Sequence, residues 1–273
     1  MRPIFLSYLT APVDDPFEAL HIAAEAGYSG LGLRLSDPAT GAAVSPLVGD
    51  PGLCRRFVDA LNDGGLRVPE IEARVLSRGS ALQIAPEVLQ AAAMLGQPCL
   101  IAVADQRSAI ELPELCDRFG ALCAEAAAFG LEVGFEPIAH RAAGSLDEAL
   151  SIVAAGAGQG ARLVLDALHL HRMGVTPDRL ARVDHALMRA FHICDAPPIP
   201  PDLAGHIDHS ARNRLLPGQG VLPLSNYLAA LPPDMPVSLE IPMMRAEGII
   251  PLAKRARIAI AATSALLEKD NHQ

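Results

Sequence analysis

The chain has 273 residues, of which 51% are hydrophobic but only 4% aromatic, with no tryptophan and a formal net charge of −9. That length buries a substantial core, which this composition makes aliphatic. The negative charge argues against nucleic acid or an anionic membrane as the main partner, and no apolar run reaches the roughly 18 to 20 residues of a membrane helix.

The start, Met1-Arg2-Pro3-Ile4-Phe5, lacks a signal-peptide layout and moves straight into strand-like residues. Phe5 to Leu9 reads as a first strand. Asp15 and Pro16 then cap and open a helix that stops at Gly27. A second strand follows at Gly30 to Leu35, a helix at Leu53 to Asn62 and a third strand at Arg67 to Ala73. Pro86 to Leu95 reads as a helix, Cys99 to Ala104 as a strand, and Leu112 to Phe129 as an Ala-rich helix ended by Gly130. Leu131 to Ile138 is the next strand. Ser145-Leu146-Asp147-Glu148 has the form of a capping box. Strands at Arg162 to Leu168 and Met188 to Cys194 come next, with a short helix from Pro177 between them. A long polar segment, Asp195 to Gly220, leads to a helix at Leu224 to Leu231, a strand at Val237 to Ile241 and a terminal helix at Pro251 to Lys269.

The strands are continuous runs rich in Val, Leu and Ile, as a parallel sheet covered on both faces requires. Eight such strand–helix units without a linker predict a (β/α)8 TIM barrel as a single domain over residues 1–273. An open doubly wound sheet is the alternative, but Leu9-Thr10-Ala11-Pro12 is not the Gly-rich turn it would want.

In a barrel, the C-terminal ends of the strands converge on one mouth. Four runs close on polar residues: Val133-Gly134-Phe135-Glu136, Leu163-Val164-Leu165-Asp166, Ala190-Phe191-His192 and Val237-Ser238-Leu239-Glu240. Glu136, Asp166, His192 and Glu240 are therefore read together as one metal site on neighbouring strands. Each alone reads more often as a cap or a loop salt bridge, and it is their joint placement that points to a metal. Unpaired charges in apolar contexts are costly, and a cation compensates them. Three carboxylates and one imidazole suit Mn²⁺, Mg²⁺ or Co²⁺, with Zn²⁺ also compatible. Such an ion polarises a carbonyl, and a nearby carboxylate can take the proton α to it.

His169, three residues after Asp166, is expected at the mouth as a substrate contact or acid/base, the alternative being a hydrogen-bonding partner behind the ligands. His140 is a further mouth candidate. Asp195 is expected to orient His192, bind a hydroxyl or cap a loop. Arg214 is expected over the mouth as a cation for substrate oxygens. Arg34 and Glu72 are expected at the mouth or paired with each other. The five cysteines form no CxxC pair and read as buried small hydrophobes in a reducing cytoplasm.

The motifs Phe135-Glu136-Pro137, Leu165-Asp166-Ala167-Leu168-His169, Phe191-His192-Ile193-Cys194-Asp195, Leu216-Pro217-Gly218-Gln219-Gly220 and Leu239-Glu240-Ile241 stand in a fairly specific order and spacing. Through them the chain resembles the xylose isomerase-like TIM-barrel superfamily of sugar phosphate isomerases/epimerases and AP endonuclease family 2. The resemblance implies that Glu136, Asp166, His192 and Glu240 ligate the metal, that Glu136 and Glu240 move protons on opposite faces of an enediolate, and that His169 contacts substrate. It implies a metal-dependent isomerase or epimerase of a sugar or keto-polyol in carbohydrate metabolism. The alternative is a dehydratase (lyase) of an inosose or 3-dehydroshikimate-like substrate. Ala142 and Pro198 stand where ketose 3-epimerases place a substrate-binding glutamate and an arginine. The expected partner is a small molecule, not nucleic acid or membrane, and exposed apolar barrel helices leave room for a homo-oligomer.

Overall fold

The computed structural model describes residues 2–79, 84–106, 109–200 and 202–270, without the side chains of 269–270. Seven strands form one parallel sheet: β1 (Ile4–Leu6), β2 (Glu70–Leu76), β3 (Cys99–Ala104), β4 (Val133–Glu136), β5 (Ala161–Asp166), β6 (Met188–Ile193) and β7 (Val237–Leu239). Their order is β1-β7-β6-β5-β4-β3-β2. The gap between β1 and β2 is filled by residues 29–33. There Leu31 bridges Leu6, Gly30 bridges Arg67 and Leu33 bridges Ile71, all in parallel sense. The amide of Gly32 donates to the Leu6 carbonyl at 2.8 Å, and that of Glu72 to the Leu33 carbonyl at 2.8 Å. Residues 29–33 are thus the second of eight staves, and the sheet closes into a TIM barrel.

The expected strand Gly30 to Leu35 is shortened to these bridges because two glycines let the chain lie against its neighbour. A Cβ on Gly30 would sit 1.8 Å from the Arg67 carbonyl oxygen, and one on Gly32 3.2 Å from Cγ of Glu70.

Between the staves run α1 (Pro16–Ala26), α2 (Pro51–Asp63), α3 (Pro86–Met94), α4 (Leu112–Ala127), α5 (Leu146–Ala155), α6 (Ala167–Arg172), α7 (Pro177–Leu180), α8 (Leu203–Ala211), α9 (Leu224–Ala229) and α10 (Leu252–Asp270). Caps fall where local chemistry puts them. Asp15 accepts from the Phe17 amide at 2.9 Å, and Ser145 Oγ accepts from the Glu148 amide at 3.3 Å while donating to its carboxylate.

Two further segments differ from expectation. The strand expected to reach Leu168 ends at Asp166, because that side chain accepts from the His169 amide at 2.9 Å and starts α6 there. The segment expected to be a polar loop, Asp195 to Gly220, contains α8, opened by the Asp202 cap on the Gly205 amide.

β3 is buried along its whole length, as a strand between two covered faces must be. Ile101, Val103 and Val164 pack together in the sheet, separate from the main core. The main core lies between sheet and helices and includes the edge-to-face pair Phe119–Phe135 at 5.7 Å. Among the described residues no helix is long and apolar enough to cross a membrane.

Candidate metal centre and active-site mouth

Four adjacent staves end in the predicted ligands. Glu136 is the last residue of β4 and Asp166 the last of β5. His192 pairs directly with Asp166 across β5 and β6, and Glu240 follows β7. Thr10 pins this last end, donating to the Leu239 carbonyl and accepting from the Ile241 amide at 2.7 Å. One donor atom from each of Glu136, Asp166, His192 and Glu240 lies within 4.8 Å of all the others, and all four residues are buried.

The cluster is wired on both sides. His192 Nδ1 lies 3.2 Å from Glu240 Oε2 and 3.7 Å from Glu136 Oε1. Its Nε2 lies 3.1 Å from Oε2 of Glu70, a buried residue at the start of β2. Glu70 fixes the ring so that Nδ1 faces the carboxylates, the arrangement by which a carboxylate behind an imidazole aims it at a metal. The Glu70 side chain packs against Gly32, where a Cβ would lie 3.2 Å from its Cγ and 3.3 Å from its Oε1. Arg214 Nη1 lies 2.5 Å from Asp166 Oδ2 and 3.0 Å from Glu240 Oε2. Arg214 is aimed inward because its own amide bonds to the Pro242 carbonyl, while Asn213 and Leu215 on either side bridge to Met243 and Asp195.

Crowded like charges set the proton balance. Burial, reinforced by Glu240, pushes the Glu136 carboxyl up to about 7. Burial also raises Asp166, against the pull of Arg214. Burial would raise Glu240 too, but Arg214 and His192 together outweigh it and hold that carboxyl low. Burial would strip the proton from His192, yet Glu70 and Glu240 outweigh it and keep its pKa well above the ordinary value. Without a cation, then, the set retains protons on groups that are good ligands. Three hard oxygen donors and an imidazole drawn this close fit a divalent ion.

Glu136 and Glu240 of the cluster line a cavity of about 170 Å³, whose walls also include Arg34, Glu72, Arg141, His169 and Ser210. His169 lies in the first turn of α6 rather than on a loop, and is buried. Its Nε2 faces Ser210 Oγ at 3.2 Å, and its Nδ1 has no partner. Burial, with Arg214 next in weight, keeps its pKa well below the ordinary value, so the ring is neutral near pH 7. His140 stands beside it, ring centres 6.0 Å apart. Glu72 accepts from Ser7 Oγ at 2.6 Å and lies 3.9 Å from Arg34, so the Arg34–Glu72 neighbourhood is present, and burial pushes Glu72 up to about 8.

Two predicted substrate contacts are engaged elsewhere. Arg214 lines the cavity but is paired with Asp166 and Glu240 of the cluster. Asp195 does not orient His192: its oxygens accept from the amides of Ala196 (2.8 Å), Gly218 (3.0 Å) and Leu222 (3.1 Å), which makes it a strap for the following loop. Glu70, Arg141 and Ser210 were not anticipated. Glu70 had a signal: Glu70 and Glu72 stand two apart in one strand, so they share a face, and the Glu72 face was already assigned to the mouth. Ser210 had none, since the helix that carries it was not expected.

A family model described as xylose isomerase-like TIM barrel matches residues 20–266. No curated protein matches the chain. Among solved structures, the IolI protein with a bound zinc atom superposes with a TM-score of 0.79 at 18% identity, covering 98% of each chain. A probable 3-DHS dehydratase, AsbF, involved in petrobactin synthesis from Bacillus anthracis, gives 0.73 at 15% identity, over 94% of this chain and 98% of that one. A D-allulose 3-epimerase from Methylomonas sp. in complex with D-allulose gives 0.69 at 16% identity, over 97% and 96%. These likenesses are likenesses of fold.

Proposed function

Because the chain belongs to the xylose isomerase-like TIM-barrel family, we propose that it is a divalent-metal-dependent isomerase or epimerase of a sugar or keto-polyol. The observation that carries this reading is the four-residue cluster, with donor atoms within 4.8 Å, two of whose members, Glu136 and Glu240, line a cavity of about 170 Å³. Glu136, Asp166, His192 and Glu240 would hold the ion, Mn²⁺, Mg²⁺ or Co²⁺ by the hardness of the donor set, with Zn²⁺ compatible. A bound divalent cation supplies Lewis acidity to a substrate carbonyl.

The remaining work falls to the chain. Glu136 and Glu240 approach the cavity from different staves, so one can take the proton α to the carbonyl and the other return it on the opposite face. Glu70 keeps His192 oriented. Neutral His169, with Nδ1 unpartnered, offers the substrate a hydrogen-bond donor or acceptor depending on its tautomer. Glu72 and Arg34 line the same space, with His140 beside His169.

A dehydratase using the same enediolate, with loss of a β-hydroxyl, is the second reading. It is favoured by a specific observation: Ala142 and Pro198 occupy the positions that carry the glutamate and arginine of ketose 3-epimerases, and a 3-DHS dehydratase shares the fold. Incubation with Mn²⁺ and candidate keto-sugars or cyclic keto-polyols in D₂O separates the two. Solvent exchange at the α carbon without loss of water supports the isomerase, and a new conjugated-enone absorbance supports the dehydratase. Neither signal on any ketone, with no divalent ion retained by the purified protein, defeats both.

A further inference from the structure

Two arginines in the cavity wall have no role in holding the cluster. Arg34 Nη2 comes no closer than 3.9 Å to Glu72, its guanidinium lies 4.3 Å over the Tyr8 ring, and its buried Nε has no hydrogen-bond partner. Arg141 donates through Nη1 to the Ala104 carbonyl at 3.1 Å and has no ion pair among the described residues; Glu136 and Asp105 act on it only through space. Its backbone is held in place, since Arg141 bridges Gln106 and the Ala142 amide bonds to the Asp105 carbonyl at 3.0 Å. Both line the same cavity as His169, and both are less buried than the cluster, with the Arg34 side chain 25% exposed against 7% for Glu136 and 5% for Glu240.

Charge is therefore layered. At the cluster, Arg214 pairs with Asp166 and Glu240, and a divalent ion held there would balance the remaining charge of the three carboxylates. Nearer the solvent, among the described residues, Arg34 has only the distant Glu72 beside it and Arg141 only the through-space pull of Glu136 and Asp105, while Glu70 lies behind His192, outside the cavity lining. Guanidinium groups held in this way bind carboxylate or phosphate oxygens by paired, charge-assisted hydrogen bonds.

We propose that the substrate carries an anionic group, a carboxylate or a phosphate, which Arg141 and Arg34 bind while the keto-polyol end reaches the cluster. The proposal rests on the preceding functional reading and narrows its substrate class. It sets aside neutral ketoses and inososes.

The test uses the full-length, Mn²⁺-loaded protein and calorimetric titration with three unreactive probes: shikimate, myo-inositol 1-phosphate and myo-inositol. The expected result is that at least one anionic probe binds about tenfold or more tighter than myo-inositol. That preference should shrink as NaCl is raised, because exposed charge pairing is screened. Arg34→Gln and Arg141→Gln should each cost roughly tenfold for the anionic probe, with myo-inositol and Mn²⁺ affinities unchanged. The tighter of shikimate and the phosphate names the source of the anion. Should Arg141→Gln fail to fold, Arg141→Lys and the salt series on the unaltered chain give the answer. Equal binding of neutral and anionic probes, no anionic binding at all, or variants that weaken every probe alike would overturn the proposal. Failure of Mn²⁺ to bind counts against the metal reading instead, and the anion titrations are then read on the metal-free chain.

Discussion

Glu136 and Glu240 are buried side chains whose charge has no solvent to dissipate into, so conservative removal of that charge is informative. Glu136→Gln and Glu240→Gln preserve shape but remove an anionic donor. Each is expected to weaken Mn²⁺ binding by about a hundredfold or more, and to lower turnover by roughly 10² to 10⁴, measured by calorimetry and by D₂O exchange. His169→Ala removes a neutral ring that touches the cavity but none of the cluster atoms. It is expected to retain Mn²⁺ affinity and lose activity by a similar factor, and a fully active variant would return His169 to the role of a hydrogen-bonding partner behind the cluster. The pH dependence follows from the directions of the shifts. Glu136, pushed up to about 7, and His192, held above its ordinary value, carry protons that the ion must displace. Mn²⁺ affinity should therefore fall as pH drops through 7, by about tenfold or more between roughly pH 8 and pH 6, as read by titration at the two pH values.

At the scale of elements, two local devices hold the mouth. Asp166 closes β5 and caps α6 with one oxygen while its other oxygen faces Arg214, so the ligand and the His169-bearing helix move as one piece. Asp195 straps the loop that follows β6 through three backbone amides. Asp195→Ala strands those donors and is expected to cost ~2–4 kcal/mol of stability, seen as a lowered denaturant midpoint. Gly220 is packed against the same carboxylate: a Cβ there would lie 2.3 Å from both Asp195 Oδ1 and the Ala196 carbonyl oxygen. Gly220→Ala should therefore unseat the loop by the same route. Since Arg214 is held by backbone pairing in that loop, both variants should also weaken Mn²⁺ binding, which a purely local loop defect would leave alone. The capping box at Ser145 and the Asp15–Pro16 helix start were legible because a cap satisfies its helix from within a few residues. α8 was not, because its polar, His-containing sequence lacks the apolar stripe that marks a buried helix, and only Ser210 of its residues is buried.

For the molecule as a whole, closure is the decisive event. An ion bound by the cluster would join four staves of the barrel, so it should report on global stability. At a free ion concentration of about 100 times Kd, Mn²⁺ is expected to add ~2.7 kcal/mol, a rise in Tm of several degrees, reversed by dialysis against a chelator. An unchanged Tm in saturating Mn²⁺ would mean that the cluster is structural only. The eight-stave count and the four clustered residues were readable from the chain because each is a local signal: an apolar run, a turn, and a polar or charged residue where the run stops. What the local signals could not specify was pairing. Glu70 became a partner of His192, 122 residues away, only when residues 29–33 closed the barrel. Arg214 turned from a substrate cation into a partner of Asp166 and Glu240 once its backbone was fixed between Asp195 and Pro242. Alternation along a strand says which residues share a face, and so the sequence by itself determined the barrel, its open end and the residues gathered there. Which of those residues neutralise one another, and which guanidinium groups are left for a substrate, depends on distances across the barrel interior. Burial makes those pairings energetically decisive, and only the tertiary structure brings the partners within reach.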